Sequence, residues 1–144
     1  MKLVSACLVG INCRYDGKSK LIPELVEEYK KGNLLPVCPE VLGGLPTPRD
    51  RSEIVGGGGL DVIKGRAKVM TEKGEDVTEK FIKGAEEVLK IARERNIKEA
   101  IFARRSPSCG CGEIYDGTFS RRLIKGDGVT TALLKEYNIR VVPY

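Results

Sequence analysis

The chain has 144 residues with a formal net charge of +5, and at 41% hydrophobic and 31% charged it reads as one folded domain over residues 1–144. It has five cysteines and no histidine, which excludes a Ser-His-Asp triad, a Cys-His pair and every imidazole-ligated zinc site. Proton transfer therefore falls to carboxylates, Lys, Tyr or Cys.

In chain order, Met1-Lys2-Leu3-Val4-Ser5 enters directly on a strand-like segment without a signal-peptide pattern, so a cytoplasmic protein is expected. No apolar run approaches the ~20 residues of a membrane helix. Lys2 to Cys7 reads as a buried first strand, followed by a polar turn containing Arg14-Tyr15-Asp16-Gly17. Pro23 opens a helix that runs to Lys31, with Gly32 just past its end. Leu34 to Cys38 is a second short strand.

Residues 39–60, with Pro39, Pro46, Pro48 and two glycine clusters, read as one long functional loop, and Gly56 to Gly59 as a flexible flap. Leu60 to Val69 reads as a strand or hairpin arm. Asp76-Val77-Thr78-Glu79 has capping-box spacing and starts the strongest helix, with Val77, Phe81, Ala85, Val88, Leu89 and Ala92 on one face and Asn96 at its end. Glu99 to Ala103 is a third core strand, followed by a Cys-rich loop from Arg104 to Gly112. Asp127 caps a last helix, and Ile139 to Val142 closes the chain as a strand. This order predicts an α/β domain, a single mostly parallel sheet with helices on both faces.

Ligands of open α/β sheets bind beyond the carboxyl ends of the strands. Cys7 and Cys38 end the first two predicted strands, and Cys109 lies in the loop after the third. Either of the first two alone would pass for a small buried hydrophobe; three converging on one edge predict a site. Thiolate-only ligation selects zinc, copper(I) or an iron–sulfur cluster. Dispersed single cysteines suit a 4Fe–4S cluster, in which three ligands leave one iron open and four saturate it. Cys13 is open to three readings, as fourth ligand, resolving thiol or spectator, and Cys111 reads as more exposed and incidental. Glu40 follows Cys38 in Cys38-Pro39-Glu40, held close to whatever that thiol binds unless it merely pairs with Arg49 or Arg51. Ser106 and Ser108 offer hydroxyls in the Cys109 turn. Arg14, Arg49, Arg104 and Arg105 could hold an anionic group, and Gly126 to Thr130 is a capping turn with the alternative of an anion site. Aromatics are only 6%, a poor supply for base stacking, so nucleic acid is not the expected primary partner.

Ser5-Ala6-Cys7-Leu8, Cys13-Arg14-Tyr15-Asp16-Gly17 and the run Pro36-Val37-Cys38-Pro39-Glu40-Val41-Leu42-Gly43-Gly44-Leu45-Pro46-Thr47-Pro48-Arg49 resemble the thiouracil desulfurase family, long described as a domain of unknown function. So do Ser106-Pro107-Ser108-Cys109-Gly110, Ile114-Tyr115-Asp116-Gly117 and Gly126-Asp127-Gly128-Val129-Thr130. The resemblance implies an α/β, Rossmann-like domain carrying a 4Fe–4S cluster on Cys7, Cys38 and Cys109, with Cys13 the rival to Cys7. It also implies a non-redox desulfurase acting on a small thiolated pyrimidine. In that reaction 2-thiouracil gives uracil and sulfide, with the sulfur bound at the open iron, Glu40 moving protons and Ser106 or Ser108 orienting substrate or water. The Ala103-Arg104-Arg105 run and the extra Cys111 depart from the family's pattern. Two rival readings remain: cluster-dependent sulfur transfer in thionucleotide or tRNA metabolism, and a non-enzymatic metal or redox module.

Overall fold

A computed structural model describes residues 1–144. Four parallel strands form the central sheet in the order β2-β1-β5-β8, with β1 at Lys2–Ser5, β2 at Leu34–Val37, β5 at Glu99–Phe102 and β8 at Arg140–Pro143. Leu3 pairs with Leu35 on one side and Ala100 on the other, and Ala100 pairs in turn with Val141. These strands read as short apolar runs because helices cover both sides, as a parallel sheet requires. Leu3, Val37, Ala100, Phe102 and Val141 meet Val88, Leu89 and Ala92 of α4 (Thr78–Glu94) and Leu134 of α5 (Val129–Glu136). On the opposite face Val4 and Leu34 meet Leu25 of α1 (Pro23–Lys30) and the 3-10 turn Ala6–Val9. Each large side chain buried in these layers contributes roughly 1.5–3 kcal/mol.

The expected doubly covered α/β sheet is therefore present, and the first helix, α4 and all four sheet strands lie where the sequence places them. The stretch 39–60 is not one loop. Pro39 at the first helical position opens a short helix, α2 (Pro39–Leu42), directly after Cys38. Ser52–Val55 forms β3, which pairs antiparallel with β4 (Lys68–Thr71). The segment from Leu60 begins as a helix, α3 (Gly59–Ile63), rather than a strand, because the Asp61 carboxylate accepts the Gly58 amide at 2.9 Å and closes its first turn. Gly56 to Gly59 is no flap: the Gly59 amide donates to the Asp127 carbonyl at 2.7 Å, and a side chain at Gly59 would collide with Gly128. The hairpin of β6 (Glu113–Tyr115) and β7 (Leu123–Lys125) has no counterpart in the sequence reading.

Two caps also differ from expectation. Asp76 holds the start of α4 from one position further out, its carboxylate accepting the Thr78 amide at 2.9 Å. Asp127 does not cap α5. It accepts the Gly112 amide at 2.9 Å and the Lys135 ammonium at 3.0 Å, and so ties the Cys109 loop to that helix.

Helix α2 sits on α4 through two glycines. A Cβ at Gly84 would strike the Pro39 carbonyl, and one at Gly43 would strike the Lys80 carbonyl. A mid-helix glycine costs about 1 kcal/mol against alanine, so Gly84 is retained for this close approach. Gly84→Ala should lower stability by about 1–3 kcal/mol despite its better helix propensity. Thermal unfolding checks this, and a raised Tm would show that α2 can move aside freely.

Candidate active site

The carboxyl ends of β1, β2 and β5 open onto one cavity of about 440 Å³. It lies where the sheet order reverses between β1 and β5, the place where α/β sheets bind ligands. Cys7, Cys13, Cys38 and Cys109 all line it, with Glu40 and Ser106. Each thiol is carried by a short connection after a strand. The Cys7 carbonyl accepts the Lys20 amide at 2.9 Å, which folds the Arg14–Lys18 turn back over the strand end. Cys38 is the residue from which α2 starts.

The Cys109 loop is held by the start of α5. The amides of Val129 and Thr130 donate to the carbonyls of Pro107 and Ser108 at 2.7 and 3.0 Å, and the Thr131 hydroxyl donates to the Cys109 carbonyl at 2.9 Å. Gly128 permits this contact, because any side chain there would overlap Ser108. The free amides of this helix are thus used on protein carbonyls, and the alternative of an anion site at Gly126–Thr130 is set aside.

Cys13 stands between Cys7 and Cys38, in hydrogen-bonding contact with each. The Cys38 thiol donates to the Cys13 carbonyl at 3.7 Å. Its hydrogen bond with Cys13, burial and the nearby Glu40 charge all raise its pKa. For Cys13 the bond with Cys38 pulls down, but the bond with Cys7, burial and the charges of Cys7 and Glu40 outweigh it and push the thiol up to about 11. Burial, then the charge of Glu40, raises the Cys109 thiol well above its ordinary range. Thiols so disposed hold their protons until a cation displaces them. All five cysteines are free. No three Cys, Asp or Glu side chains converge tightly enough to share a single metal ion. Sulfur donors spread around a cavity of this size fit a multi-atom cluster better than one ion, and the all-thiol set matches iron–sulfur ligation.

Glu40 and Arg49 form an ion pair at 3.1 Å, with side chains only 14% and 7% exposed. Arg49 also donates to the carbonyls of Cys13 at 3.0 Å and Pro46 at 3.3 Å and to the Thr47 hydroxyl at 3.2 Å. Both readings of Glu40 hold at once: it pairs with Arg49, yet does so inside the cavity, with Oε1 left without a protein partner. Ser106 accepts the amides of Ser108 at 3.2 Å and Cys109 at 2.6 Å. Ser108 is not brought to the cavity; it is fully buried, its hydroxyl 2.7 Å from that of Thr130. Cys111 likewise points elsewhere, its thiol donating to the Val141 carbonyl at 3.6 Å.

Arg14, Arg49, Arg104 and Arg105 all reach the cavity, joined by residues the sequence reading missed: Ser5, Lys20, Arg51, Ser52, Tyr115 and Arg121. Ser5 carried a signal, as a hydroxyl at the end of an apolar strand; it accepts the Ala103 amide at 2.9 Å and locks β1 to the end of β5. Nothing local marks Arg121, which depends on a hairpin that forms only in the folded chain.

The model of the 2-thiouracil desulfurase family matches residues 3–143. The chain belongs to the 2-thiouracil desulfurase family. It is 51% identical over 145 residues to an uncharacterized Bacillus subtilis (strain 168) protein, YbbK, covering 99% of this chain and 94% of that one. It also resembles the solved structure of a [4Fe-4S]-dependent thiouracil desulfidase, TudS, at TM-score 0.87 and 42% identity, over 99% of this chain and 89% of that one. Membership gives a first test of the thiols lining the cavity. Ser in place of Cys7, Cys38 or Cys109 should abolish the visible absorbance of the reconstituted cluster, whereas Cys111→Ser and Cys13→Ser should retain it. Loss in Cys13→Ser with retention in Cys7→Ser would exchange those two as ligands.

Proposed function

We propose that this protein is a desulfurase that removes sulfur from a small thiolated pyrimidine such as 2-thiouracil, using a 4Fe–4S cluster on Cys7, Cys38 and Cys109. The observation that supports this most is the meeting of these thiols with Glu40 and Ser106 in one cavity, in a chain 42% identical to a thiouracil desulfidase. The net reaction exchanges C=S for C=O: water supplies the oxygen, sulfide leaves with two protons, and no electrons are transferred. When bound, the cluster supplies a soft Lewis acid suited to a thiocarbonyl sulfur.

The chain's own residues do the rest. Two carboxylates line the cavity, Glu40 and Asp50; Glu40 is the one whose charge acts on the Cys13, Cys38 and Cys109 thiols, and with no histidine in the chain it is the natural proton shuttle. Arg49 fixes its Oε2, which leaves Oε1 to take a proton from water and deliver one to the departing sulfur. Ser106 accepts two loop amides through its oxygen, so its own hydrogen can donate to the Cys109 sulfur or, in turn, to substrate or water. Ser108 plays no part in this chemistry; it braces the loop. Cys13 stands among the ligands without being counted as one.

The surrounding protein suits a reducing compartment, and we place it in the cytoplasm on its five free thiols. No helix is long and apolar enough to cross a membrane. The cations Arg14, Lys20, Arg104, Arg105 and Arg121 favour one second reading, cluster-dependent sulfur transfer on a thiolated nucleotide or tRNA. Binding of tRNA that weakens steeply with salt is its signature.

Glu40→Gln tests the assignment. Turnover of 2-thiouracil by the anaerobically reconstituted variant should fall by about 10²–10⁴, the usual contribution of general acid–base catalysis, with cluster absorbance unchanged. Wild-type turnover in that variant would remove Glu40 from the mechanism.

A further inference from the structure

Outside the thiol cluster, one buried charged group is left unexplained by the chemistry above. Glu53, on β3, is 1% exposed. Its Oε1 accepts the amides of Gly117 at 2.9 Å and Phe119 at 3.2 Å, both in the loop between β6 and β7. Its Oε2 is buried without a hydrogen-bond partner and faces only the Arg51 guanidinium, at 3.5 Å. A carboxylate oxygen in that state costs stability, on the order of 1–3 kcal/mol or more. An Asn or Ser would suffice to tie down two amides.

The groups Glu53 controls all lead to the cavity. Arg51 lines it and lies over the ring of Tyr115, 5.9 Å from its centroid, and Tyr115 lines it as well. The loop that Glu53 grips carries Arg121, another lining residue. That loop has a demanding backbone: Gly117, Phe119 and Arg121 all adopt positive φ, at 91°, 58° and 64°. Glycine takes such an angle freely, but at Phe119 it persists only where the surroundings impose it, and the Glu53 carboxylate that holds the Phe119 amide is one of the restraints, beside the Asp116 carboxylate on the Thr118 amide.

We infer that Glu53 is a positioning residue for substrate binding: it aims Arg51 and fixes the loop bearing Arg121, so that the thiol-free wall of the cavity presents guanidinium donors to the oxygen-bearing side of the substrate ring. The inference rests on the thiopyrimidine reading, in which sulfur faces the thiols and a ring carbonyl remains to be held. Guanidinium groups donate and never accept, so Arg51 and Arg121 suit a ring carbonyl oxygen.

The test uses the reconstituted enzyme with 2-thiouracil and compares Glu53→Gln, Arg51→Ala and the double variant. Gln keeps an oxygen for the two amides but removes the charge facing Arg51. Each single variant should raise KM about tenfold, the size of one lost charge-assisted hydrogen bond, with kcat and cluster absorbance within about twofold of wild type. The double variant should lose no more than either single one, since both act through the same contact. A lowered Tm or cluster content with unchanged KM would mean that Glu53 only stabilises the fold, and overturns the inference. Should Glu53→Gln fail to fold, Arg51→Ala and Arg121→Ala decide it: unchanged KM in both overturns it. A wild-type protein that holds its cluster but leaves 2-thiouracil intact removes the thiopyrimidine reading, and this inference with it.

Discussion

Everything in this molecule depends on the parallel order β2-β1-β5-β8. Parallel pairing sends every carboxyl end to the same edge, so residues distant in sequence meet without any local motif. The reversal between β1 and β5 leaves the gap at that edge which other connections then wall in. The rest of the fold restrains those strand ends. The start of α5 holds the Cys109 loop by its carbonyls, α2 is seated on α4 through Gly43 and Gly84, and Ser5 joins the ends of β1 and β5. Each restraint either needs the absence of a side chain or uses a backbone group.

Such an edge can gather several thiols, but it does not choose their partners. Hydrogen bonding between thiols, burial and the charge of Glu40 raise the pKa of Cys13 and Cys38, and burial raises that of Cys109, so these three thiols hold their protons beside the Glu40–Arg49 ion pair. Burying Glu40 and Arg49 together is expensive unless their remaining hydrogen bonds are met. Arg49 meets its own through Pro46, Thr47 and Cys13, while Glu40 keeps one oxygen without a protein partner. On the role proposed for Glu40, that unmet oxygen is the one that moves protons.

The sheet, α1 and α4 were legible because their patterns are long or simple: apolar runs for buried strands, and a stripe at helical spacing for α4. The convergence of Cys7, Cys38 and Cys109 followed from the order of elements alone. Local reading failed where elements are four or five residues long. Pro39 and Gly58 mark helix starts, but α2 and α3 lie in a stretch whose proline and glycine content reads as loop. The hairpins β3–β4 and β6–β7 have strands too short to carry a period. Ser106 and Ser108 could not be separated by sequence, because only the packing of α5 turns one toward the cavity and the other onto Thr130. Cys109 and Cys111 diverge for the same kind of reason.

The cavity thus has two walls of different origin. The thiol wall is built on the central sheet, whose strands are buried on both faces and held from both ends. The other wall is built on two-stranded hairpins, which are marginally stable by themselves. Ile54, Val69 and Ile114 pack beneath it against Phe81 and Ala85, yet β7 is exposed along its whole length. Apolar packing secures the base of this wall but cannot set the conformation of a loop whose residues take left-handed backbone angles. A buried carboxylate can, because it accepts two amides at fixed angles and faces a guanidinium at the same time. On the proposed reading, the sulfur-binding chemistry therefore rests on the doubly covered central sheet. On the inference drawn for Glu53, recognition of the rest of the substrate rests on a loop held by the Glu53 and Asp116 carboxylates, where changing a few residues alters what is bound without disturbing the thiols.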